Sequence, residues 1–122
     1  MNIKNNESAE NYLETILILS ETLPGVRSID VANELSFKKS SVSVAMKHLR
    51  EKNHVTVTEE GYLTLTPSGR AIAESIRERH QILTALLVKL GVPNDIASDD
   101  ACKLEHVLSE ESYEAIKKYA SK

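Results

Sequence analysis

Tryptophan is absent from this chain of 122 residues, and phenylalanine occurs once. That scarcity argues against aromatic cages for cationic ligands and stacking platforms for unpaired bases. A single cysteine excludes an intrachain disulfide framework and suits a reducing cytoplasm. No apolar run approaches the ~18 residues of a membrane span. The N-terminal MNIKNNESAEN has no apolar core of the kind a signal peptide carries. A cytoplasmic protein without membrane attachment is the expectation. What is present is ordinary for a folded chain: 41% apolar and 27% charged residues, with a formal charge of −3. The length allows one compact core, or two small lobes sharing one.

Four glycines and three prolines punctuate the chain. Across residues 8–22, Tyr12, Leu13, Ile16, Leu17 and Leu19 recur at helical spacing until Leu23-Pro24-Gly25. Ser28 reads as the N-cap of a short helix to Leu35. A third helix spans about 39–52, with Val42, Ala45, Met46 and Leu49 facing inward. The period then changes to two. Residues 54–58 and 62–66 alternate around Glu59-Glu60-Gly61 and predict a β-hairpin. Thr66-Pro67 places a capping hydroxyl ahead of a first-turn proline, so a long helix should run from 67 to about 90. Two further helices fit 94–108 and 109–120.

Three helices and a hairpin follow the order of a winged helix-turn-helix, in which the third helix enters the major groove. The fold class expected is therefore mainly α. A winged helix-turn-helix should occupy 1–70, and an all-helical lobe 71–122. Charge is an independent test. Lys38, Lys39, Lys47, Arg50 and Lys52 face only Glu51, so residues 38–52 carry +4 and the other 107 carry −7. A Lys-rich helix by itself reads as a solvated face, but third place before a wing and a Thr-Pro-Ser-Gly helix start favours phosphate neutralisation. Lys38, Lys39, Lys47 and Arg50 are the candidate phosphate contacts. Ser40, Ser41 and Ser43 add hydroxyls for phosphate or base edges, and Val44 an apolar contact for a thymine methyl. The acidic wing tip should point away from DNA, leaving Thr56, Thr58 or Thr64 to make any contact.

A second constellation lies in the fifth helix. With Cys102 at zero, Glu105 falls at ~300° and His106 at ~40° on a helical wheel. Ala101, Leu104 and Leu108 fall opposite, at ~200–260°. Thiol, carboxylate and imidazole thus share one face, and all three are metal-ligand types. Glu10, Asn11 and Glu14 share a face of the first helix. His80 sits among Ile76, Leu83 and Leu87 and should face inward. Spacing does not decide between a ligand set and ordinary roles: an exposed acidic helix start, a core histidine, a polar face.

Further motifs carry a resemblance. Glu10-Asn-Tyr-Leu-Glu14, Ser40-Ser-Val-Ser43, Leu65-Thr-Pro-Ser-Gly-Arg70, Arg79-His80 and Ala101-Cys-Lys-Leu-Glu-His-Val-Leu-Ser109 are its marks. From about Ser8 to Tyr119 the chain resembles the metal-dependent repressors of the diphtheria-toxin repressor and manganese-transport regulator family. The resemblance implies a metal held between the first helix and helices four and five. Carried over by position, the ligands are Asn11, Glu14, His80, Cys102, Glu105 and His106. The chain is a hybrid of the family's branches. Asn11 stands where the manganese branch has aspartate, and Cys102 where it has glutamate. Cysteine at the latter position follows the iron branch, whereas Glu14 follows the manganese branch. Thr84 replaces an acidic residue of the iron branch's ancillary site. The chain looks like the short form, without a C-terminal SH3-like domain.

The resemblance implies a homodimeric repressor of metal uptake genes on palindromic double-stranded DNA, activated by Fe(II) or Mn(II), with no small-molecule substrate. Thiolate and imidazole also suit Zn(II), Co(II) or Ni(II) in vitro. The other readings are a metal-independent winged-helix regulator or protein-interaction module and, with less support, a metalloenzyme. No nucleophile–base motif accompanies the cluster, so an enzyme is not expected.

Overall fold

The computed structural model describes residues 3–121, with side chains described from residue 9 onward. In order these form α1 (Ile3–Ser20), α2 (Ser28–Leu35), α3 (Lys39–Glu51), β1 (Val55–Val57), β2 (Leu63–Leu65), α4 (Pro67–Lys89), α5 (Asn94–Val107) and α6 (Glu110–Ala120). The chain divides into two compact units, Lys4–Glu74 and a second from Ser75 onward. The expected mainly α class and element order are both present.

In the N-terminal unit the apolar stripe of α1 (Tyr12, Leu13, Ile16 and Leu17) packs with Val31 and Ala32 of α2 and Val42, Met46 and Leu49 of α3. All of these are buried. Ser28 opens α2 as its first helical residue, and Arg27 takes the N-cap position. The Asp30 carboxylate accepts from the Arg27 N–H at 2.9 Å. α2 ends on Ser36 in the left-handed region, at φ 57°.

The hairpin is shorter than the sequence alternation suggests. Val55, Thr56 and Val57 pair antiparallel with Leu65, Thr64 and Leu63. At residue 58 the pairing gives way to a turn. There Thr58 N–H donates to the Tyr62 carbonyl at 2.9 Å, and Tyr62 N–H to the Thr58 hydroxyl at 3.1 Å. Val26 adds a bridge through Leu63 N–H, 2.7 Å from its carbonyl. Val55 and Leu63 seat this small sheet in the core.

Thr66-Pro67-Ser68-Gly69 anchors the start of α4 to the base of the hairpin. The Thr66 hydroxyl accepts from Gly69 N–H at 3.1 Å, the expected cap, and donates to the Asn53 carbonyl at 2.7 Å. The Ser68 hydroxyl also donates to Asn53, at 3.1 Å. A β-carbon at Gly69 would collide with the backbone carbonyl of His54. Only glycine allows so close an approach.

The C-terminal unit contains the later part of α4 with α5 and α6. Gly91, at φ 104°, ends the long helix, and Val92 N–H closes on the Leu87 carbonyl at 3.0 Å. Ser109 caps α6, its hydroxyl accepting from Ser112 N–H at 3.1 Å. Tyr113 is buried and donates to Glu78 at 2.7 Å. Lys117 pairs with the same carboxylate oxygen at 2.8 Å. Lys117 and then Tyr113 hold the Glu78 carboxyl below its usual range, while burial and Glu78 push the Tyr113 hydroxyl up. Leu90, Ile96, Val107 and Tyr119 leave apolar surface exposed on this unit.

Gly69→Ala should destabilise the protein by about 1–3 kcal/mol, the cost of overpacking against backbone. Urea unfolding followed by circular dichroism measures this; an unchanged midpoint would contradict the close approach.

Candidate functional site

α3 divides cleanly into two sides. Val42, Met46 and Leu49, at i, i+4 and i+7, are buried and fix the helix on its unit. Lys38, Lys39, Ser40, Ser41, Ser43, Val44, Lys47 and Arg50 are all exposed. Val44 is 56% exposed, so an apolar side chain stands in solvent among cations and hydroxyls. Lys47 and Arg50 continue into a shallow groove lined also by Asn53, Thr56 and Val57. His48, on the exposed side of the last turn, adds an imidazole that the sequence reading passed over. The wing hydroxyls are partly engaged within the hairpin: Thr56 bonds Thr64, and Thr58 accepts from Tyr62. Glu59 and Glu60 are exposed at the tip. This face offers positive charge, short hydroxyls and one apolar contact, the mixture that phosphate and major-groove contacts need.

The second site lies within the C-terminal unit. Glu105 on α5 has 0% of its surface exposed. Its Oε2 lies 3.0 Å from His80 Nδ1 on α4, and its Oε1 lies 3.3 Å from His106 Nε2. The latter contact is close but poorly aligned, and Oε1 has no hydrogen-bond donor. The other ring nitrogen of His80 is 3.3 Å from the Ser98 hydroxyl. The His106 side chain is 2% exposed and that of His80 29%.

The helical wheel set Glu105 apart from the apolar stripe, and the structure differs. Ala97, Ala101 and Glu105, at i, i+4 and i+8, form the buried row of α5. Cys102 is exposed, one turn from Glu105 and His106. Among the described residues, no group of three or more His, Cys, Asp or Glu side chains is placed to hold a metal ion. His80, Glu105 and His106 are instead assembled with the carboxylate between the imidazoles. A buried carboxylate with a spare acceptor oxygen and two imidazoles are nonetheless ligand types that divalent cations accept.

Asn11 and Glu14 are half-buried on α1 of the other unit, nearly one turn apart. Thr84, one turn beyond His80, has a buried hydroxyl oxygen without a hydrogen-bond partner.

Residues 5–66 match the iron dependent repressor N-terminal DNA binding domain, and residues 66–122 the iron dependent repressor metal binding and dimerisation domain. The chain belongs to the iron-dependent repressor family. That is a family of DNA-binding transcriptional repressors, not enzymes. An HTH-type transcriptional regulator of Methanocaldococcus jannaschii is 34% identical over 119 residues, covering 96% of this chain and 95% of its own. The transcriptional regulator MntR of Escherichia coli is 32% identical over 116 residues, covering 95% of this chain and 75% of that protein. Among solved structures, a manganese-dependent transcriptional repressor in complex with manganese superposes with a TM-score of 0.85. It is 30% identical and covers 93% of this chain, which spans 52% of that longer chain. Iron-dependent repressors thus account for both halves of the sequence.

Within this frame the structure brings together three of the six candidate ligands, His80, Glu105 and His106, and places Cys102 on the same helix. Ser98 was missed. Its only sequence signal is its spacing on α5, one turn before Cys102 and two before Glu105. The whole set of candidate DNA contacts, on α3 and its N-cap Lys38, is exposed.

Lys47→Ala should weaken specific and non-specific DNA binding alike. The slope of log affinity against log salt should flatten by about one unit. Fluorescence anisotropy across a salt series reads this; an unchanged slope would remove Lys47 from the phosphate backbone.

Proposed function

We propose that this repressor is a homodimer that takes Fe(II) or Mn(II) as its effector and acts in the cytoplasm on palindromic operators of metal uptake genes. Residues 1–70 form the DNA-binding part and residues 71–122 the metal-binding and dimerisation part. One observation carries the reading. The buried Glu105 carboxylate lies between His80 and His106, in a chain whose α3 exposes a basic, hydroxyl-rich face.

Each side chain has a role in this account. Glu105 supplies the central anionic oxygen, and its burial limits competition from water. His80 and His106 supply ring nitrogens, and the partner on the second ring nitrogen of His80 fixes its orientation. Cys102 adds a soft thiolate, which favours Fe(II), Zn(II), Co(II) or Ni(II) over Mn(II). Glu14, with Asn11 beside it in the motif, supplies ligands from α1, and carboxylate and amide oxygens favour the harder Mn(II). When bound, the cation supplies the positive charge that this donor set lacks. Coupling to DNA requires a ligand from the DNA-binding part, because ligands from one part alone bias nothing in the other. Effector and operator must then strengthen each other by the same factor.

Gel shifts on the chain's own promoter and on neighbouring transporter promoters, with Mn(II), Fe(II), Zn(II) or chelator, test the proposal. Tight binding should require a cation; equal affinity in chelator would favour a metal-independent regulator. Glu14→Gln should keep much of the metal affinity but lose much of the metal-dependent gain in DNA affinity. Cys102→Ala should weaken metal binding itself, more for Zn(II) and Fe(II) than for Mn(II). If both variants still respond fully to metal, the ligand assignment is wrong.

A further inference from the structure

Arg79 precedes His80 on α4 and is engaged on every side, its side chain only 11% exposed. Nη1 donates to the backbone carbonyls of Glu105 at 3.1 Å and Leu108 at 3.0 Å. Nη2 pairs with the Glu110 carboxylate at 2.8 Å. The guanidinium carbon stands 4.6 Å from the centre of the Tyr113 ring. α5 ends at Val107, and Leu108 turns to an extended conformation with ψ 137°. The last carbonyls of a helix have no partner within it, and a cation is favoured at that end. Arg79 meets both needs at once.

The consequence lies in the sequence order. Arg79 holds the backbone carbonyl of Glu105, and the next residue, His80, faces the carboxylate of the same glutamate. Two consecutive residues of α4 therefore fix both ends of Glu105. The turn that carries His106 is pinned by the same guanidinium. We propose that Arg79 is the positioning residue of the metal centre, holding the end of α5 so that Glu105 and His106 face His80 in register. This rests on the reading of His80, Glu105 and His106 as ligands. The fork shape of the guanidinium is essential, because one side chain serves two carbonyls, a carboxylate and a ring face together. A lysine keeps the charge but cannot span those partners.

Mn(II) affinity, read from the electron paramagnetic resonance of the unbound ion, is to be measured alongside thermal melting in chelator. Arg79→Lys should melt cooperatively yet bind Mn(II) about tenfold more weakly, the usual effect of losing a group that orients ligands. Tyr113→Phe removes the bond to Glu78 but keeps the ring beneath Arg79. It should lower the melting temperature and leave Mn(II) affinity unchanged. His106→Ala should weaken binding more than Arg79→Lys does. Wild-type Mn(II) affinity in Arg79→Lys, with a loss in His106→Ala, overturns the positioning role alone. No loss in His106→Ala overturns the ligand reading and this inference with it. Equal losses in Arg79→Lys and Tyr113→Phe, or failure of both Arg79→Lys and Arg79→Gln to fold, would reduce Arg79 to a general brace and contradict the proposal.

Discussion

A carboxylate with no exposed surface is costly to bury unless its charge is matched, and Glu105 is such a group. The C-terminal unit is organised around meeting that need. His80 and His106 lie against the two carboxylate oxygens, and Arg79 holds the backbone behind them. Ala97 and Ala101, the small residues above Glu105 in its buried row, leave it room. A polar centre of this kind is poorly explained as a stabilising device, since an apolar side chain of similar volume would serve a three-helix core as well. It suits the proposed role of receiving a cation. Glu105 Oε1, buried without a hydrogen-bond donor, is the atom on which that reading rests.

The N-terminal unit answers to a different constraint. Among the described residues its buried core is apolar apart from Thr15, and its basic, hydroxyl-rich face lies on the outside of α3. Rigid seating matters there. Val42, Met46 and Leu49 lock the helix, Leu63 and Val55 lock the wing, and Gly69 lets α4 start directly against the hairpin base. Cations on such a frame keep fixed spacing, which phosphate recognition requires.

How far the sequence reveals these features depends on the kind of signal. α3 was readable because a strong apolar row and a strong basic excess occupy opposite sides of one helix. The start of α4 was readable because Thr-Pro-Ser-Gly has a direct backbone meaning, and the structure shows Thr66 as its cap. The buried row of α5 was not, because Ala97 and Ala101 give little hydrophobic contrast and a glutamate in such a row reads as solvent-facing. Ser28 was one residue off as a cap because Asp30 reaches back to the Arg27 N–H instead. Arg79 stood out within a shared motif, yet its task depends on carbonyls 26 and 29 residues away. No local pattern encodes that. The ligand set itself was suggested by resemblance rather than spacing, since one helix wheel does not tell which helices meet.

The account stands or falls on whether Glu105 receives a cation. Anomalous diffraction from crystals grown with Mn(II) locates the ion directly. The account predicts a peak at roughly 2.0–2.3 Å from a carboxylate oxygen of Glu105, with His80 and His106 nitrogens among the other ligands. A Mn(II) ion bound elsewhere in the chain, with no metal on the Glu105 carboxylate, would contradict it.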